Sequence, residues 1–222
     1  MRRLTLILLA LLAIVSPTIA LAGAQKYEPL SDSVRAALSK TIADQPPPGS
    51  SFRGPMEAVE WLSEMSRRLE KRIANREHRH EFLRAVHYEA TRAGLDPQLV
   101  LGLIQVESGF KKYAVSSAGA RGFMQVMPFW VKLIGRPDDN LFHLRTNLRY
   151  GCTILRHYLD IERGDLFRAL GRYNGRLGRP EYPNLVRNAW QGQWLYGSGI
   201  RNQGSGISSV TERFAPARIT DP

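Results

Sequence analysis

Apolar residues in this chain recur at spacings of three and four, and no stretch carries several runs of strict alternation. Val59, Leu62, Met65, Leu69 and Ile73 make one stripe, Phe82, Val86 and Ala90 a second, and Leu99, Val100, Leu103 and Ile104 a third. A period near 3.6 puts each set on one helix face, whereas a strand needs a period of two. The fold class expected is therefore all-α.

Glycine and proline divide the pattern. Gln45-Pro46-Pro47-Pro48-Gly49-Ser50-Ser51 cannot continue a helix and reads as a linker after a short helix over 31–42. Residues 56–93 read as strongly helical, with Arg67, Arg68, Lys71 and Arg72 on the solvated face. Such a basic amphipathic stretch could pack in a core or lie on anionic lipid. Gly94 stops it, Asp96 is a good N-cap, Pro97 a good first helical residue, and Gly109 ends the next helix. Further helices are expected over 123–134 (interrupted at Pro128), 141–159, 165–171 and 182–194. Few large apolar residues follow Gly197, so 197–222 reads as a flexible tail.

The first 22 residues look like an export signal. Arg2 and Arg3 precede an apolar run from Leu4 to Val15, and Ala20-Leu21-Ala22 offers a small-x-small cleavage pattern. The run is short for a membrane span, which needs roughly 20 residues; an uncleaved anchor is the competing reading. Either way the chain is expected in the periplasm or cell envelope. Lys and Arg outnumber Asp and Glu 31 to 20, a net charge of +11. That excess favours a polyanionic partner, or serves solubility alone. For an exported protein, an anionic wall or membrane surface fits better than nucleic acid, and no nucleic-acid motif accompanies the charge. Cys152 is the sole cysteine, so no internal disulfide forms, and its apolar context suits a buried, inert thiol. The five histidines show no metal-ligand spacing, so neither metal nor cofactor is inferred.

Glu107 stands out. It shares the apolar stripe of Leu99 and Leu103, at a helix C-terminus where the dipole disfavours it by roughly 0.3–1 kcal/mol. Burial there disfavours the charged carboxylate and favours an acid able to protonate a leaving oxygen. A solvated helix-end glutamate is the plain alternative. Ordinary glycosidases need a second carboxylate. Between Glu107 and Asp138 there is no Asp or Glu, so only the fold could supply one.

Around this acid the text runs Glu107-Ser108-Gly109-Phe110, then Ala114-x-Ser116-x-x-Gly119-Ala120-x-Gly122-Phe123-Met124-Gln125-x-Met127-Pro128, with a later Arg172-Tyr173-Asn174. It resembles the lytic transglycosylase domain of the soluble transglycosylase type, related in fold to goose-type lysozyme. The family pattern is E-S-x-F, S-x-x-G-A-x-G-L-M-Q-x-M-P and A-Y-N, and the match spans roughly 87–190. Phe123 stands for the usual Leu and Arg172 for the usual Ala. Gly175-Arg176-Leu177-Gly178 and Lys111-Lys112-Tyr113 also depart from the family text, adding charge and bulk near the groove.

The resemblance implies a lysozyme-like (goose-type) catalytic domain over 87–196, with an N-terminal helical extension and linker over 23–86. It implies cleavage of the β-1,4 bond between N-acetylmuramic acid and N-acetylglucosamine in peptidoglycan. Glu107 would protonate the glycosidic oxygen, then take the proton from the muramoyl C6 hydroxyl, which attacks C1. The substrate's N-acetyl group would assist. Ser116, Gln125 and Met127 match positions lining the cleft, Tyr173 matches a tyrosine whose hydroxyl reaches the acid, and Asn174 closes that motif. Ser108 would support the helix end or cleft floor, and Glu181 is a candidate second acid. Competing readings are a lysozyme-like muramidase using water, with Asp138, Asp139 or Glu181 as its second acid, and a silent glycan-binding or scaffolding module. The tryptophans Trp61, Trp130, Trp190 and Trp194 could stack on sugars, but core packing is the plainer expectation.

Overall fold

A computed structural model describes residues 25–43, 52 and 54–197. The expected export signal, the Pro-rich linker and the tail beyond Gly197 lie outside the described residues. Those described form α1 (Asp32–Ala43), α2 (Pro55–Leu69), α3 (Arg76–Arg92), α4 (Pro97–Ser108), α5 (Phe129–Ile134), α6 (Leu144–Ile161), α7 (Leu166–Tyr173) and α8 (Glu181–Ala189). A π-helical turn over Trp190–Trp194 follows. Among the described residues β-structure is limited to the isolated bridges Val115–Arg121 and Arg121–Val126, so the protein is all-α as the periodicity requires.

The helix starts follow local chemistry. Asn75 caps α3 by accepting from His78 N at 2.9 Å, Asp96 caps α4 through Gln98 N at 2.7 Å, and Asp165 caps α7 through Arg168 N at 3.0 Å. Gly109, at φ 57°, ends α4.

Three boundaries differ from the sequence reading. Residues 56–93 are two helices, because Arg72 N and Ile73 N both turn onto Leu69 O and Asn75 starts a new helix. Val59, expected on the buried stripe, is 69% exposed; Trp61, Leu62, Met65 and Leu69 are the buried face of α2. Residues 123–134 are not one helix. Phe123 to Met127 form a turn and only Phe129–Ile134 is helical, since Pro128 brings no N–H but a φ of −60° suited to starting one. The last helix widens into the π-turn at Trp190. Arg68, expected in solvent, instead donates to Gln193 O at 2.8 Å, and Arg72 stacks over Phe110 and Trp194.

One apolar core runs from Ile42 through Trp61, Met65, Val86, Leu103 and Leu155 to Trp194. The helices before residue 86 thus share the core of those after it, and the apolar stripe of α2 is used inside the molecule. Trp61, Trp130 and Trp194 are buried, as is Cys152, whose thiol burial pushes far up from its ordinary range.

A buried charge ties the layers together. Glu89, fully buried on α3, pairs with Arg92 at 3.0 Å and with Arg149 of α6 at 3.2 Å. The same arginines donate to Thr41 O and Ile42 O, where the C-terminal carbonyls of α1 favour positive charge. Burying such a group is tolerable only when it is paired this fully.

His87 stacks on Phe52, ring centroids 3.7 Å apart, and meets the edge of Trp61. Burial pulls its pKa down to about 4, against a weaker upward pull from Glu57. Between pH 4 and 6.5 the unfolded chain therefore binds more protons at this site, and stability falls as pH falls. His87→Phe keeps a stacking ring and cannot take the proton. In denaturant unfolding it is expected to lose less stability than wild type between pH 6.5 and 4; equal losses would exclude His87 as a contributor.

Candidate active site

Helix α4 sits at the centre of the molecule. Leu99 to Ile104 are all buried, and the run ends on Glu107, 3% exposed, and Ser108. Gly102 leaves room for the chain that follows α8, since a Cβ there would lie 2.8 Å from Trp190 N. Helix α8 packs against α4 and carries Tyr182 to the acid. The Tyr182 hydroxyl donates to Glu107 Oε1 at 2.5 Å. Burial, and then the negative charge of Glu107, hold the Tyr182 phenol well above its ordinary pKa. Tyr182 is thus a donor that keeps its proton. Ser108 turns inward on its own helix, its hydroxyl donating to Ile104 O at 3.3 Å.

After α4, the segment 114–127 folds into paired tight turns. Arg121 and Val126 exchange both backbone hydrogen bonds, and Gly122 N reaches Ala114 O at 2.9 Å. Gln125 holds φ at 50°, uncommon for a residue with a side chain. Its buried amide secures that shape by donating to Ala114 O at 3.1 Å and Gly122 O at 3.0 Å. Ser116 closes the neighbouring turn, its hydroxyl accepting from Ala120 N at 3.1 Å.

Asn147 of α6 fastens this loop from behind, a role the sequence reading missed. Fully buried, it accepts from Met124 N and donates to Arg121 O and Leu141 O, each at 2.8 Å. Gly122 must be glycine beside it: φ is 75°, and a Cβ would stand 2.4 Å from Asn147 Nδ2.

Tyr173 was expected to reach the acid with its hydroxyl. That hydroxyl donates instead to Met124 O at 2.8 Å, while Tyr182 makes the bond to Glu107. Tyr173 still feels the acid, because its phenol pKa is raised by burial first and by the charge of Glu107 second. Asn174 is buried at the end of α7, and Met127 lies half-buried against the core. Glu181 starts α8 with an exposed side chain, while its neighbour Tyr182 points inward. It lines an open cleft of about 590 Å³ with Lys26, Glu28, Arg172, Arg176 and Arg179. Asp138 and Asp139 serve the 136–139 turn, pairing with Arg136, and Asp139 also accepts from Tyr150 at 2.6 Å. The sequence reading missed Tyr182, which it placed only at the start of the last expected helix. Gln25, buried at 3% exposure, also reaches the site: its amide bonds Gln125 O at 3.0 Å and Met127 N at 2.9 Å. Among the described residues no cluster of three or more His, Cys, Asp or Glu is placed to hold a metal.

Asn147→Ala takes the side-chain partner from Met124 N–H and Leu141 C=O, and one of two partners from Arg121 C=O. It is expected to cost about 2–4 kcal/mol in denaturant unfolding; a loss under about 1 kcal/mol would show that the loop does not depend on it.

Residues 84–184 match the family described as the transglycosylase SLT domain. The chain is 40% identical over 81 residues to a transglycosylase of Enterobacteria phage PRD1, covering 36% of this chain and 29% of that protein. It is 50% identical over 48 residues to a membrane-bound lytic murein transglycosylase C of Actinobacillus pleuropneumoniae, covering 22% and 13%. A protein of the same name from Histophilus somni is 40% identical over 92 residues, covering 36% and 25%. The chain thus spans less than a third of the length of each of these relatives. A crystal structure of an inactive mutant of the lytic transglycosylase Slt from Pseudomonas aeruginosa aligns over 80% of this chain and 33% of its own, at 18% identity and a TM-score of 0.36. Residues 84–184, the segment similar to the transglycosylase SLT domain, hold the buried acid Glu107 and both tyrosines, Tyr173 and Tyr182.

Proposed function

We propose that this protein is an exported peptidoglycan lytic transglycosylase that cleaves the MurNAc-β-1,4-GlcNAc bond without water and leaves 1,6-anhydromuramoyl ends. The observation that carries this reading is a buried Glu107 held by the Tyr182 hydroxyl inside the family-matched segment. A goose-type lysozyme-like arrangement of that segment is part of the reading.

In the protonated form, Glu107 gives its proton to the glycosidic oxygen as the C1–O bond breaks. The carbonyl oxygen of the muramoyl N-acetyl group closes on C1 and takes the part of a second carboxylate. Glu107, now ionised, accepts the proton of the C6 hydroxyl while O6 attacks C1 and releases the N-acetyl oxygen. The proton count closes, and Glu107 returns to its starting form. Tyr182 supports the ionised stage, because a phenol kept protonated by burial donates most strongly when the carboxylate is charged. Tyr173 braces the Met124 carbonyl, and with it the turn carrying Gln125 and Met127.

An envelope location agrees with the names of the relatives from Actinobacillus and Histophilus, which are called membrane-bound. No helix among the described residues is long and apolar enough to cross a membrane. The basic surface suits contact with an anionic wall or membrane, and binding to sacculi should weaken with salt.

Two measurements test the reaction. Muropeptides released from purified sacculi should carry anhydro ends by mass spectrometry; reducing muramic acid ends would instead assign a water-using muramidase. Glu107→Gln should abolish release while leaving the unfolding midpoint near wild type. Tyr182→Phe should slow release by roughly ten- to a hundredfold, the worth of one hydrogen bond to a charged group. An unchanged rate in either variant would remove that residue from the chemistry.

A further inference from the structure

The chain ahead of α1 enters the candidate site, and the manner of its entry points to regulation. Gln25 is nearly fully buried, although it lies in a segment without secondary structure. Its Oε1 accepts from Met127 N at 2.9 Å and its Nε2 donates to Gln125 O at 3.0 Å. Beyond Gln25 the hold weakens. Tyr27, 60% exposed, touches the edge of Phe129, and Glu28 pairs with Arg172 at 3.2 Å where both side chains meet solvent. Exposed pairs of that kind contribute little. Arg172 does not depend on the pair, because Glu162 also holds it.

The notch that takes Gln25 exists without it. Gln125 is fixed by its own side chain on Ala114 O and Gly122 O, and Asn147 holds Met124 N. Neither support involves the N-terminal segment. The notch therefore presents a backbone N–H and a backbone C=O, two residues apart, to whatever fills it. Removing Gln25 leaves both in want of a partner, and a buried backbone group without one is costly. The complementary ligand offers one C=O and one N–H from the same amide. A glutamine carboxamide does so, and so does the acetamido group of an N-acetylated amino sugar.

We propose that residues 25–28 are an autoinhibitory strap whose Gln25 carboxamide occupies the seat of a substrate acetamido group. This rests on the glycan-cleaving reading above. The strap runs from the turn at Gln125 to the end of α7 at Arg172, and Lys26 and Glu28 stand in the open cleft beside Glu181. Substrate entry exchanges one amide for another in the notch, so displacement loses only the exposed contacts of Tyr27 and Glu28. An N-terminal segment drawn away by a wall polymer or by a membrane would free the cleft.

The test uses the full chain and tri-N-acetylchitotriose, which binds without needing turnover. In wild type, titration should shift the Gln25 side-chain amide signals in nitrogen-15 NMR toward those of a solvated glutamine. Gln25→Ala and Gln25→Glu, the second unable to donate to Gln125 O, should bind the trisaccharide roughly fivefold or more tighter, because the competing occupant is gone. Sacculus release should rise by a similar factor. Unmoved Gln25 signals in the saturated complex, or weaker or equal binding by folded variants, overturn the strap. No trisaccharide binding by any of the three proteins overturns it as well. If the variants do not fold, the wild-type titration decides alone. Displacement of Gln25 with no cleavage by wild type would sink the transglycosylase reading and leave the strap standing. Cleavage with Gln25 unmoved would do the reverse.

Discussion

Burial of the Glu107 carboxyl at the end of an apolar helix is the constraint to which the other parts answer. Helix α4 is covered on every side from Leu99 to Ile104, so its last turn cannot offer the acid to bulk water. Each structure near it manages that exposure to low dielectric. Tyr182 supplies a donor, Gly102 leaves room for the chain that follows α8, and Gly109 turns the chain away before the acid is covered by more helix. A buried carboxyl is tolerated when a donor such as the Tyr182 hydroxyl meets it.

The opposite wall is built on a different principle. Residues 114–127 hold their shape through hydrogen bonds from buried side-chain amides, with little regular secondary structure. Gln125 fastens the turn from within and Asn147 from behind, and Gly122 leaves room for the second. Such fully satisfied polar networks specify one geometry, since any shift leaves a buried group unpaired. The result is a rim whose Gln125 C=O and Met127 N–H receive the Gln25 amide.

The N-terminal helices join these two walls into one body. Glu89 and its two arginines clasp α3, α6 and the end of α1, and the apolar face of α2 enters the common core. Residues that read as an extension in the sequence therefore support the segment that holds Glu107 and carry residues 25–28 to the turn at Gln125. The charge added by Arg172 and Arg176 lies where that delivery ends.

By itself the sequence determined the helical class, most helix starts and the position of the acid. These rest on local rules: a 3.6-residue period, capping by Asp96, and the spacing of Glu107 from Ser116, Gln125 and Met127. Local rules could not decide what crosses between elements. Val59 sits on the predicted stripe yet faces solvent, because a stripe gives a face and not the neighbour that covers it. The resemblance pointed to Tyr173 as the tyrosine at Glu107 and Tyr182 was read only as the start of the last helix, yet the packing of α8 brings the Tyr182 hydroxyl to Glu107. Asn147 and Gln25 carried no signal, since a lone amide looks the same in solvent as in a notch. Only the tertiary structure assigned these partners, because a buried hydrogen bond is specified by the two groups that meet and sequence separations of 23 to 102 residues hide the meeting.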